Sequence, residues 1–202
     1  MDFANTPASL IILIATVAIS LFTLYGNKQL FGRLALHPWS VRHSNKWYML
    51  VTSGLIHADL THLLFNMLTF YFFAPSLEFW IGTENFLIIY FGSMVLADMT
   101  TVYKQSDNPD FRSLGASGAV SGVIFSFILF NPLSKMYIMF IPVGIPAVVF
   151  GPLFLLYCWY AARRGGGNIN HDAHFGGAIA GLILTIILIP EAVTIFLKML
   201  QL

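Results

Sequence analysis

Apolar residues in this chain come in blocks long enough to cross a lipid bilayer, and no other feature constrains its fold as much. A helix needs roughly 20 predominantly apolar residues to cross the hydrocarbon core. Six candidate spans can be drawn, at about 8 to 25, 60 to 81, 84 to 103, 117 to 131, 136 to 162 and 174 to 190. Of the 202 residues, 57% are hydrophobic and 9% charged, against about a quarter charged in soluble domains. A water-facing surface cannot be assembled from so few charges, so membrane spans outrank buried core helices. The expectation is an all-α membrane protein, one membrane domain over residues 1–202 with no soluble domain.

Charge and cysteine usage narrow the classes further. The net charge is +1 and the ten Lys and Arg are scattered, which leaves no nucleic-acid footprint. Cys158 is the only cysteine, so no internal disulfide or cysteine-based metal cluster is expected, and it reads as a small core or lipid-facing residue. The residues ahead of the first block lack Lys and Arg and include Asp2, so that block reads as a retained helix and not a cleaved signal.

The connections are unequal: a long first loop from Gly26 to Ile56, a tight second one at Gly82 and Thr83, and a polar third one from Lys104 to Leu114. In the fourth span the clean apolar run Gly118 to Phe130 rises only about 20 Å at 1.5 Å per residue. The core is about 30 Å thick, so with Asn131-Pro132 at one interface the Ser117 end lies about 10 Å below the other. Irregular backbone at that depth requires burial in protein or contact with water, which predicts a hydrated cavity at Ser117. Pro142, Pro146 and Pro152 rule out a straight fifth helix; a partly non-helical entry and a helix from about Ala147 to Ala162 are expected. The run Gly165 to Gly167, ahead of Asn168, reads either as a plain linker or as a cap over the site.

Two groups of polar residues stand out within these spans, where ionisable side chains are functional candidates by default. His62 and Asn66, four apart near the start of the second span, share one helix face; His57 precedes them. Ser117 sits in Gly115-Ala116-Ser117-Gly118, followed by Ala119-Val120-Ser121-Gly122, and His174 is followed by Gly177 and Gly181. Small residues at four-residue spacing let helices approach closely in lipid, and packing these two faces together would bring Ser117 to His174. A serine becomes nucleophilic when a base takes its proton, and histidine suits that task. The N-terminal end of the fourth span favours developing negative charge, and His62 and Asn66 offer donors to the same oxyanion. Singly, each motif also fits helix packing or local hydrogen bonding.

In order and spacing these residues resemble the rhomboid family of intramembrane serine proteases, most clearly from Trp47 to Gly181. The likeness rests on His57-x4-His62-x3-Asn66, Glu78-x3-Gly82, Gly115-Ala116-Ser117-Gly118, Ala173-His174-x2-Gly177-x3-Gly181 and the entry Ile141-Pro142-x3-Pro146. It implies a six-transmembrane-helix bundle with no metal or organic cofactor, which cleaves membrane-anchored protein substrates within the lipid bilayer. It implies Ser117 as nucleophile, His174 as base, and an oxyanion hole made of His62, Asn66 and the Ser117 amide. His57 would be a structural histidine tying the first loop to the second span. Gly115, Gly118, Gly177 and Gly181 would shape the site.

The chain departs from the family pattern at two places. The arginine that many bacterial members carry in a Trp-Arg pair is missing from Trp47-Tyr48-Met49, so first-loop contacts must differ or be absent. The tyrosine that in some members stacks on the base is Ser121 here, leaving His174 to be held by Phe175 or a neighbouring helix. The family topology places both termini in the cytoplasm and the dyad on the extracytoplasmic side of a membrane, most simply a bacterial inner membrane. Loop charges point the other way, since eight of the ten Lys and Arg fall in the first, third and fifth loops, and positive loops tend to be cytoplasmic. Three other readings compete. One is a catalytically silent rhomboid-like scaffold or chaperone for transmembrane helices. Another is a zinc protease using His57, His62, His171 and His174, which lacks the His-Glu-x-x-His motif. The third is a channel or transporter, of whose inverted repeats or paired broken helices there is no sign.

Overall fold

The computed structural model describes residues 5–137, 143–164 and 169–201. Pro142 and the glycine run from 165 to 167, both singled out above, lie outside the described residues. Four described helices are long and apolar enough to cross a membrane: Pro7–Gly26, Leu60–Ile81, Thr83–Gln105 and His171–Leu188. The first consists of α1 (Pro7–Leu21) and a π-helical turn, Phe22–Gly26. The others are α5 (Leu60–Ile81), α6 (Thr83–Gln105) and α9 (His171–Leu188). The fourth and fifth expected spans are also helical, as α7 (Ser117–Phe130) and α8 (Ala147–Arg164). The 14 residues of α7 rise about 21 Å, so that helix is as short as expected.

Boundaries follow the caps. Asp59 accepts the His62 N–H at 2.8 Å and starts α5; Gly82, at φ +79°, ends it in a conformation that costs a glycine little. The sixth span begins at His171, three residues before the position expected for it. Asn170 Oδ1 caps it through the Ala173 N–H at 3.1 Å, and its first turn is polar, so an apolar run does not reveal it. Beyond Leu188 the chain breaks at Pro190 and forms a short helix, α10 (Glu191–Met199).

Ahead of α8, β1 (Lys135–Tyr137) pairs antiparallel with β2 (Gly144–Pro146), Met136 opposite Ile145, which is the non-helical entry that the prolines require. The long first loop is itself folded, into α2 (Lys28–Leu34), α3 (Pro38–Ser44), α4 (Met49–Thr52) and a 3-10 turn at Ser53–Leu55. Its Leu36, Val41, Met49 and Leu50 form a small core against Val95 and Val102 of α6. Leu36 and Ser113 exchange backbone hydrogen bonds of 2.9 and 3.0 Å, His37 Nε2 lies 2.9 Å from the Pro109 carbonyl oxygen, and Arg42 pairs with Asp107. First-loop contacts are therefore present without the family's arginine, carried instead to the third loop.

The bundle is organised around α7, which is buried from Gly118 to Leu129, as befits a helix apolar on all sides. Its tightest neighbour is α9. A Cβ added to Gly177 would collide with the backbone of Gly118, and one added to Gly181 with that of Gly122. Only glycines allow this approach. Farther along the same seam the Thr185 hydroxyl lies 2.7 Å from Ser126 Oγ, and Ser126 donates to the Gly122 carbonyl at 2.8 Å. The ends away from Ser117 are fixed by Glu78, whose buried carboxylate accepts from Ala8 N–H, Ser9 N–H and the hydroxyls of Ser9 and Thr83 at 2.6 to 3.0 Å. One side chain thus satisfies the open first turn of α1 while joining α5 to α6.

Candidate active site

Ser117 is the first residue of α7, directly before Gly118, and His174 lies one turn before Gly177 in α9. The closest backbone contact between the two helices is therefore adjacent to both residues. At N1 the Ser117 N–H has no partner within its helix; the first intrahelical bond comes from Val120 N–H to the Ala116 carbonyl, at 2.9 Å. Ser117 is half-buried. Its hydroxyl and the His174 ring are not hydrogen-bonded to each other, nor to any other described residue.

The turn that presents Ser117 is held from two sides. Gly115 adopts φ +111°, donates its N–H to the Ser53 carbonyl at 2.9 Å, and lies so close to the His62 ring that a Cβ would sit 2.6 Å from Cε1 and 2.7 Å from Nε2. Next to it, Ala116 N–H donates to His57 Nε2 at 3.3 Å. His57 Nδ1 lies 3.0 Å from Ser20 Oγ, and that hydroxyl lies 2.9 Å from the Leu55 carbonyl oxygen. A carbonyl can only accept, so Ser20 donates to Leu55, His57 donates from Nδ1 to Ser20, and His57 Nε2 is left as acceptor. The wiring needs a neutral imidazole. Burial first, and then the neighbouring His62, lower the His57 pKa from 6.5 to about 3 against an opposing pull from Asp59. Through these bonds His57 joins α1 to the turn before Ser117, a longer reach than from first loop to second span.

His62 Nδ1 accepts the Ala58 N–H at 3.4 Å, which places its ring hydrogen on Nε2, facing Gly115. Asn66 Nδ2 donates one hydrogen to the His62 carbonyl, 3.0 Å away and one turn back; the second amide hydrogen is uncommitted. The His57 and His62 rings meet edge to face at 4.9 Å.

Phe154 of α8, and not Phe175, takes the stacking role beside His174, with ring centroids 6.3 Å apart and planes 18° from parallel. On the other side His171 meets His174 edge to face at 6.1 Å. Cys158 is fully buried, consistent with a core residue, yet its Sγ and ring nitrogens of His171 and His174 lie within 4.8 Å of one another. The four histidines thus form two pairs rather than one zinc set.

Several supports escape a reading by motif. Asp98 accepts the Ser53 hydroxyl at 2.6 Å and so braces the residue that holds Gly115; as an acid well inside the third span it carried a signal of its own. Asn170 caps α9 and also donates to Thr101 and Ser113 hydroxyls at 2.8 and 3.0 Å. Ser20 and Phe154 carried no signal, because hydroxyls and aromatics abound in apolar helices.

Comparison with known proteins gives one consistent result. The Rhomboid domain family matches residues 44–191. YdcA of Bacillus subtilis (strain 168), which bears the name of a rhomboid protease provisionally, is 31% identical over 157 residues, 73% of this chain and 70% of that protein. The rhomboid protease GlpG of Photorhabdus laumondii is 27% identical over 183 residues, 89% of this chain and 61% of that protein. Inactive rhomboid protein 1 of Drosophila melanogaster is 30% identical over 161 residues, 75% of this chain but 10% of a much longer protein.

Proposed function

The chain belongs to the rhomboid family, and on that premise we propose that it is an intramembrane serine endopeptidase that cuts membrane-anchored proteins within or near their membrane segment. The observation that carries the reading is the glycine contact between α7 and α9, which brings Ser117, at an open helix N-terminus, beside the first turn of α9 with His174. His174 takes the proton from Ser117 Oγ as the hydroxyl attacks the scissile carbonyl, and then returns it to the leaving amine. The resulting acyl-enzyme is hydrolysed by water that His174 activates in turn. Catalytic hydrogen bonds are often long before substrate arrives, so an open Ser117–His174 pair is compatible with this role.

Negative charge on the tetrahedral intermediate is met by the Ser117 N–H, by Nε2–H of His62 and by the second amide hydrogen of Asn66. Water reaches this depth because α7 is too short to fill the bilayer above Ser117. The bundle forms one membrane domain of six spans with the site on the extracytoplasmic face of a bacterial inner membrane. Loop charges oppose that orientation, but they express a statistical bias.

A silent scaffold for transmembrane helices is the second reading, favoured by the likeness to an inactive rhomboid. One experiment separates the two: purified protein is incubated with a labelled transmembrane substrate, wild type beside Ser117→Ala. Cleavage by wild type alone supports the protease; no cleavage by either, with substrate still bound, supports the scaffold.

A further inference from the structure

The proposed dyad uses only one of three side chains that meet at the junction of α8 and α9. Cys158 projects from α8, and His171 and His174 stand one turn apart at the start of α9. A sulfur and one nitrogen from each ring lie within 4.8 Å of one another. A tetrahedral zinc site, with bonds of about 2.3 Å to sulfur and 2.0–2.1 Å to nitrogen, separates its ligand atoms by roughly 3.4–3.6 Å. Gathering the three atoms onto one ion shortens separations of up to 4.8 Å by about 1.4 Å at most.

Two further observations set this cluster apart from ordinary packing. Nδ1 of His171 is buried and has no hydrogen-bond partner among the described residues, a state that costs about 1–3 kcal/mol and calls for an occupant or a role. The rings are also held rather than loose: Tyr157 meets His171 edge to face at 5.3 Å, and Phe154 stacks on His174. The free cysteine is buried, while both histidines are half-buried.

We propose that Cys158, His171 and His174 form a site for a zinc-class divalent cation, and that the bound ion switches off proteolysis by occupying the ring of His174. One thiolate and two imidazoles are a ligand set suited to zinc. On binding, the Cys158 thiol releases its proton to water and both imidazoles coordinate as neutral rings, leaving water in the fourth position. A lone pair held by the metal cannot accept the Ser117 proton. The switching half rests on the proposed role of His174; the binding half does not.

Cobalt, which reports thiolate ligation by a sulfur-to-metal charge-transfer absorption, tests binding directly. Titration of purified wild type should produce that band, Cys158→Ser should abolish it, and His171→Asn should weaken cobalt affinity. In parallel, zinc should inhibit cleavage of the labelled substrate reversibly to a chelator. Cys158→Ser and His171→Asn, neither in the proposed catalytic machinery, should cleave normally without metal and need at least about 100-fold more zinc, beyond the 10–100-fold lost with a merely supporting partner. Absence of the cobalt band in wild type overturns the site. Zinc inhibition unchanged in both variants overturns the switch. A cobalt band from a protein that cleaves nothing even without metal upholds the site and rejects the protease reading.

Discussion

Neutral His57 and close-packed Gly115 place the burden of positioning on residues that do no chemistry. The folded protein keeps His57 unprotonated down to about pH 3, whereas the unfolded chain protonates it at 6.5. As pH falls through that window the unfolded state binds a proton that the native state refuses, so stability is full above 6.5 and declines toward 3. Melting temperatures in detergent across the window should show this slope, and His57→Gln should be less stable but lack about one proton of pH dependence. Gly115→Ala should act on catalysis: its Cβ would push the His62 ring aside, and φ +111° strains any side chain. Loss of one oxyanion donor costs on the order of a hundredfold to a thousandfold in kcat, and that is the fall expected in cleavage kinetics, with KM little changed. Asn66→Ala should produce a drop of the same order without the backbone strain, because its free amide hydrogen is lost while the α5 fold stays capped by Asp59. Wild-type turnover in Asn66→Ala would reduce Asn66 to the helix-packing role that its bond to the His62 carbonyl already performs.

Between elements, the α7–α9 seam is the most demanding contact, since glycine backbone there meets glycine backbone. Gly177→Ala and Gly181→Ala should each destabilise by about 1–3 kcal/mol or more, as overpacking does, and Gly177→Ala should in addition suppress labelling of Ser117 by a fluorophosphonate. Thermal denaturation in detergent and probe labelling measure the two effects separately. Equal labelling of Gly177→Ala and wild type would mean that the site tolerates a wider seam. Part of this element was legible from sequence: the small residues at four-residue spacing announced a close approach, and the short apolar run announced a short α7. The polar first turn of α9 was not legible, because its start is set by the Asn170 cap rather than by apolar character.

For the molecule as a whole the prediction concerns orientation: in the six-span arrangement proposed above, the site and eight of the ten Lys and Arg fall on one side. Reporters fused at each end should be active in the cytoplasm if the site faces outward. A C-terminal reporter active only outside the cytoplasm would reverse the assignment and make the loop charges the better guide. The first loop, folded into α2, α3 and α4, is tied to the third loop through Leu36, His37 and Arg42.

The sequence by itself determined that the chain is built of apolar helices suited to a membrane, that the helix from Ser117 is short, and which serine, histidines and asparagine deserve attention. Those properties are local: apolar length, proline, capping and four-residue spacing are written along one stretch of chain. Tertiary structure alone decided what holds them. Ser20 orients His57 from 37 residues away, Asp98 braces Ser53 from 45, Phe154 supports His174 from a separate helix, and Cys158 comes to lie beside two histidines. Such pairings join residues with no shared periodicity, and only the packing of one helix against another specifies them.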